Sequence, residues 1–338
     1  MQNARLENTD FSMLPKVELH LHLDCSLSFD VVSLLKPSIS FDRYKSDFEA
    51  PSKCKNLAEL LRCTSKSIEL IQTSRELELV TQDLFKQLKD ENVIYAEIRF
   101  APLLHLERGL KAEEVVELVA EAIKENMEKT GIKVGLILCT LRHFSEEQSM
   151  YTARLVEKYI KTTPVAGFDI AADEAGFPID AHIDAFFYAI THDIPRTAHA
   201  GESRGPESVW ETLRYFKPSR LGHGVRCIDD SSLIEHLVKK NIHLEVCPTC
   251  NVQIDIFNQY ADHPIDRLFK EGVSIGVNTD ARTLSNISLT DEYLKLHSVF
   301  GWGMEQFKIC NLNAISHSFL TDSEKQDLVD EINIAYAV

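Results

Sequence analysis

Val17-Glu18-Leu19-His20-Leu21-His22, followed by Leu23-Asp24-Cys25-Ser26, decides between two α/β architectures. The first part reads as a β-strand ending in two histidines; the second is the turn that leaves it. An open, doubly wound sheet commonly carries a glycine-rich phosphate loop at this point. This turn holds no glycine, which weakens that architecture. Short β-branched runs recur at Val93–Phe100, Lys133–Thr140, Val165–Ile170, Arg196–His199, Arg220–His223, Ile242–Val246 and Val273–Asn278, making eight with Val17–His22. Between them lie helical patterns at Ala112–Lys129, Glu146–Lys161, Pro206–Phe216 and Ser231–Lys240. Strands alternating with helices imply βαβ units and a parallel sheet. Eight units predict an α/β fold of the (β/α)8 TIM-barrel type. The long interval from His22 to Val93, where Leu57–Lys89 reads helical, predicts additional helices inserted after the first strand.

The 338 residues are 44% hydrophobic and 26% charged, which excludes a disordered chain and a small disulfide scaffold. No Gly/Ser or Pro linker, low-complexity tract or internal repeat divides them, so 1–338 is expected to be one barrel domain, with 1–14 a flexible leading segment. The net charge of −16 argues against nucleic-acid and membrane-surface partners. No apolar stretch reaches the ~18 residues of a spanning helix, and no signal pattern opens the chain. The eight cysteines lack a dense spacing, which favours free thiols and a cytoplasmic location. Oligomeric state is not encoded in these features, and a monomer is compatible with them.

The chemistry collects at predicted strand ends: His20-Leu21-His22, His199-Ala200-Gly201-Glu202, Gly222-His223-Gly224 and Asn278-Thr279-Asp280. In a barrel these ends meet at one mouth. His20 and His22, two residues apart on a strand, point to one face, the barrel interior, where an unpaired imidazole is costly. A metal removes that cost, because neutral imidazole is a standard zinc ligand. His20, His22, His199 and Asp280 then form three imidazoles and one carboxylate with a position left for water, a catalytic set rather than a closed structural one. Glu202, three residues beyond His199, stands where a general acid/base is required. His223 could orient a hydroxide and stabilise its charge.

These blocks, in this order, resemble the adenosine deaminase family. Pro15 to Asp24 looks like its opening signature, and the later strand-end blocks, with Leu244-Glu245-Val246-Cys247-Pro248-Thr249, look like the others. The resemblance runs from about Lys16 to Leu320. It implies a barrel of the amidohydrolase superfamily with one zinc per chain, held by His20, His22, His199 and Asp280. It further implies hydrolytic deamination of adenosine and 2′-deoxyadenosine. Glu202 would protonate purine N1, and His223 and Asp280 would serve the attacking hydroxide. Substrate contacts are expected at His22, at Asp24 (to the ribose 5′-hydroxyl) and at Ala172 (its backbone N–H to purine N3).

Three positions depart from the family pattern. Cys25 and Ala172 stand where glycines are usual, and Ala281 stands where a second aspartate commonly meets purine N7. That opens a further reading, a related 6-aminopurine such as adenine, a 5′-modified adenosine or a 6-substituted AMP. Arg142, Arg204, Arg226 and Arg282 are then candidate phosphate partners. A two-metal hydrolase is disfavoured by the lack of a bridging lysine in Val165–Asp173. A catalytically inactive binding protein is disfavoured because every ligand and Glu202 are present. Cys247 and Cys250 form a lone C-x-x-C, read as ordinary reduced thiols.

Overall fold

The computed structural model describes residues 10–337. All eight expected strands are present: β1 Lys16–His22, β2 Val93–Phe100, β3 Lys133–Leu141, β4 Val165–Ala171, β5 His199–Ala200, β6 Arg220–His223, β7 His243–Val246 and β8 Ile275–Val277. They pair in parallel as β1-β2-β3-β4 and β5-β6-β7-β8. Two seams join these halves. Phe168 bridges Arg196 between β4 and the approach to β5, and Leu21 bridges Asp280 between β1 and the end of β8. At the second seam the His22 N–H donates to the Asp280 carbonyl (2.9 Å) and the Asp280 N–H to the His20 carbonyl (3.0 Å). The expected barrel is thus closed, and the closing bonds are made by the residues singled out for chemistry. Strand β5 is shorter and later than expected. Pro195 has no N–H for a ladder, and the Thr197 hydroxyl turns inward to Glu245 (2.9 Å).

The expected helices form, Ser231–Lys240 with the bounds expected and the other three with only their C-terminal ends shifted by one or two residues, and Leu57–Lys89 divides into Leu57–Arg62, Ser65–Leu70 and Ser74–Asp90. The last of these shows why. A Thr73/Glu76 capping box starts it, and Leu77, Val80, Thr81, Leu84, Phe85 and Leu88 recur at helical spacing on its buried face. Two further helices, Phe29–Leu35 and Phe41–Phe48, complete the insertion after β1. Three helices close the chain: Leu289–Phe300, Met304–His317 and Asp322–Ala335. Of the leading segment expected to be flexible, 1–9 lies outside the described residues. Within Asp10–Leu14, Phe11 and Leu14 are buried, Phe11 against the rings of His297 and Phe307, while Asp10 and Met13 are exposed.

The barrel interior departs from the usual layers of branched apolar residues. Glu97, Arg99, Asp169, Arg220 and Glu245 all sit in it fully buried. Arg99 pairs with Asp169 (2.8 Å) and Glu245 (2.7 Å), while Arg220 pairs with Glu245 and Glu97. Two guanidiniums thus face three carboxylates, leaving an excess of negative charge directly below the strand-end histidines.

At the barrel mouth three non-glycine residues have left-handed backbones: Ala172 (φ 79°), His223 (φ 59°) and Asp280 (φ 64°). Such conformations are costly for residues with a Cβ and gather at functional sites. Ala172 carries this strain without a polar side chain to use it. Ala172→Gly is expected to stabilise the fold by about 0.5–1 kcal/mol, the relief of strain exceeding the added chain entropy. Equilibrium urea unfolding checks this; an unchanged or lower midpoint would count against it.

Candidate active site

His20 leaves β1 pointing inward. Its Nδ1 lies 2.9 Å from Glu245 Oε2. Against the effect of burial, Arg99 and Arg220 hold the Glu245 carboxyl well below the usual carboxylate range. An ionised acceptor places the imidazole proton on Nδ1 and leaves a lone pair on Nε2. His199 repeats the arrangement from β5. Its Nδ1 lies 3.0 Å from Asp169 Oδ2, and Arg99 secures that carboxylate too. Burial lowers the pKa of His199 and drives that of His22 well below normal, favouring neutral rings, whereas for His20, against burial and Arg99, the bonds to Asp280 and Glu245 raise it.

The Nε2 atoms converge. Asp280 Oδ1 is 3.2 Å from His20 Nε2 and 3.3 Å from His22 Nε2. His22 Nε2 is 3.3 Å from His199 Nε2. His20 Nε2 is buried without a hydrogen-bond partner. Imidazole nitrogens gathered beside a carboxylate in a buried site suit a cation, so the expected quartet fits a zinc ion in donor type. By mutual distance the group that comes together is His20, His199, His223 and Asp280, whose ligand atoms lie within 4.8 Å of one another, with His223 in the place expected of His22.

Glu202 follows β5 in a loop held by a residue the motif reading did not single out. The Glu174 carboxylate accepts backbone N–H bonds from Gly201, Glu202, Ser203 and Arg204 at 2.7, 3.0, 2.7 and 2.9 Å. Glu202 Oε1 then lies 3.5 Å from His223 Nε2. Burial pushes its carboxyl well above the ordinary value, and the nearby Asp280 and Glu174 carboxylates add to the effect. That direction favours the protonated form that a proton donor requires.

The cavity over this cluster is lined by His22, Cys25, Ala172, His199, Glu202, His223, Asp280 and Ala281, and by Leu57, Leu60, Leu61 and Thr64 of the insertion. Its free volume is only about 50 Å³, narrowed by the side chains of the inserted helices. Asp24, expected at the ribose, is buried with its Oδ2 3.9 Å from His105 Nε2 and does not line this cavity; its neighbour Cys25 does. Ala281 joins Cys25, Leu57, Leu60, Cys250 and Leu284 in an apolar wall. Cys247 and Cys250 are free thiols, as read from their spacing.

Each of the four arginines considered as phosphate partners is already engaged. Arg282 is buried between Glu18 and Glu91. Arg142 donates to the His199 carbonyl (2.8 Å) and lies 3.9 Å from Glu174. Arg204 pairs with Glu211 (3.0 Å) and Arg226 with Asp229 (2.7 Å). The supporting residues Asp169, Glu174 and Glu245 were missed as functional because a lone carboxylate in a strand or loop has no spacing signature. Two charged residues at alternate positions of β2, Glu97 and Arg99, were the available hint of a charged interior.

The comparisons with known proteins agree with this geometry. The chain matches the adenosine deaminase family over residues 15–335. An adenosine deaminase from Clostridium acetobutylicum is 36% identical over 327 residues, covering 95% of this chain and 97% of that protein. Among solved structures, adenine deaminase from Arthrobacter aurescens has a TM-score of 0.86 at 26% identity, covering 95% of this chain and 98% of that one. A Zn-bound amidohydrolase from Burkholderia ambifaria, at 21% identity and a TM-score of 0.88, covers 96% of this chain and 91% of that one and shares the fold. With its strand-end histidines, its Asp280 and its buried Glu202 in place, the chain belongs to the adenosine deaminase family.

Proposed function

We propose that this chain deaminates adenosine and 2′-deoxyadenosine hydrolytically, giving inosine and 2′-deoxyinosine and releasing ammonia, as a step of purine salvage. The observation that carries the reading is the convergence of the Nε2 atoms of His20, His22 and His199 with the Asp280 carboxylate, beside the buried Glu202. One zinc ion per chain would be held by His20, His22, His199 and Asp280. When bound, zinc supplies a Lewis acid that lowers the pKa of water towards ~7. Glu202 gives its proton to purine N1, so that C6 accepts the attacking oxygen without an unstabilised anion on the ring. Asp280 accepts a proton from that oxygen, and His223 hydrogen-bonds it as its charge develops. Asp280 passes its proton to the C6 amino group, the C6–N bond breaks to release ammonia, and the remaining hydroxyl proton returns to Glu202 as the C6 carbonyl forms. The Ala172 N–H and Asp24 are the proposed contacts to purine N3 and to the ribose, with His22 beside the substrate.

The engaged arginines favour a nucleoside over a nucleotide. The eight free cysteines suit the reducing cytoplasm. Among the described residues, no helix is long and apolar enough to cross a membrane.

An ultraviolet deamination assay with adenosine, 2′-deoxyadenosine, adenine and AMP tests the reading, with metal content measured on the same protein. Adenosine and 2′-deoxyadenosine should turn over fastest, with one zinc per chain. Chelation should abolish turnover, and one equivalent of zinc should restore it. Zinc-loaded protein that releases no ammonia from any of the four would overturn the proposal.

A further inference from the structure

Behind His223 runs a chain of hydrogen bonds that the mechanism above does not use. The Ile265 backbone N–H, at the start of the helix Ile265–Lys270, donates to His263 Nδ1 at 3.1 Å. A backbone N–H only donates, so His263 Nδ1 is an acceptor and its proton lies on Nε2. His263 Nε2 is 3.2 Å from Asn251 Oδ1, and Asn251 Nδ2 is 3.1 Å from His223 Nδ1. Turning the Asn251 amide over would set its N–H against that of His263, so the direction of the whole chain is settled by one backbone group. His263 and Asn251 are buried, and burial pushes the His263 pKa down to about 3, keeping its ring neutral.

We infer that Asn251 and His263 are positioning residues that fix the tautomer of His223. Nδ1 of His223 accepts from Asn251, so its proton is on Nε2, the atom that faces Glu202 at 3.5 Å and Asp280 at 4.0 Å. Nε2 of His223 is buried and has no acceptor in good geometry, which leaves its N–H aimed into the site. The inference rests on the proposed reaction and deepens it. His20 and His199, whose Nδ1 protons are held by carboxylates, present lone pairs and serve as ligands. His223, held in the opposite tautomer by an amide, presents a donor and does not. Distance groups the three rings together, and the partners behind them separate them.

The test is nitrogen-15 NMR of zinc-loaded protein labelled in histidine, with the His223 signals assigned by their loss in His223→Gln. In the parent protein, Nδ1 of His223 should resonate as an unprotonated nitrogen and Nε2 as an N–H. Asn251→Asp changes one atom of the partner and turns a donor into an acceptor, so the two signals should exchange. The turnover number should fall by about 10²-fold or more, the cost of losing a donor to developing charge, with KM little changed. Asn251→Ala should abolish the preference for a single tautomer, which keeps the test decisive where the aspartate variant folds poorly. A parent protein with its His223 proton on Nδ1, or an Asn251→Asp variant with unchanged signals, would overturn the inference. Parent protein that shows the expected nitrogen signals and deaminates nothing would sink the reaction while leaving the tautomer assignment intact.

Discussion

Glu202→Gln should lower the turnover number by about 10²–10⁴-fold, the usual contribution of a positioned general acid, while zinc content and fold remain unchanged. The amide keeps the shape of the side chain but carries no transferable proton. It also leaves untouched the backbone bonds that Gly201 to Arg204 donate to Glu174, so the loop should hold its place. KM should move little, because the proton is needed chiefly as the ring takes up the attacking oxygen. Steady-state kinetics with a metal count on the same sample check the result. A variant retaining a tenth of the parent turnover would move the proton donor elsewhere, with His223 the nearest alternative.

The second large effect lies below the site. Arg99→Met should destabilise the protein by about 3–5 kcal/mol, because it leaves the buried carboxylates of Asp169 and Glu245 without a shared counter-charge. The same two carboxylates orient His199 and His20, so zinc should be held about 10–100-fold more weakly. Urea unfolding of chelated protein measures the first effect, and competition with a zinc chelator dye the second. Loss of stability with unchanged zinc affinity would show that His20 and His199 keep their orientation without Arg99. An unchanged unfolding midpoint would show that Arg220 alone neutralises the interior.

The barrel and the strand-end histidines and aspartate proposed as metal ligands were legible in the sequence for a simple reason. Strand ends are local features, and a histidine or aspartate closing a β-branched run can be recognised without knowing its neighbours. The groups that make those ligands work were not legible. Glu245 reaches His20 across 225 positions and Asp169 reaches His199 across 30, and nothing near either carboxylate announces its partner. Arg99, which both share, stands on β2 at an alternate position that reads equally well as a solvated face. Glu174 was visible as a carboxylate, but its task, collecting four backbone N–H groups, exists only once the loop after β5 has folded around it. Asp24 is a different case. The family resemblance gives it a substrate contact, and the fold adds what the sequence does not show, that its side chain is buried with Oδ2 3.9 Å from His105 Nε2 while its neighbour Cys25 lines the cavity.

The narrow cavity has a kinetic consequence. With Leu57, Leu60, Leu61 and Thr64 in its wall, it holds about 50 Å³ of free space, well below the ~300 Å³ at the small end of ligand pockets. A purine nucleoside can enter only while part of the cavity's own wall is displaced, and its product leaves by the same breach. Bulk water is shut out during the interval between, which strengthens the fields of Glu202 and Asp280 on the base. Displacement of that wall then becomes a step of every turnover, in the way that lid motion does for other enzymes.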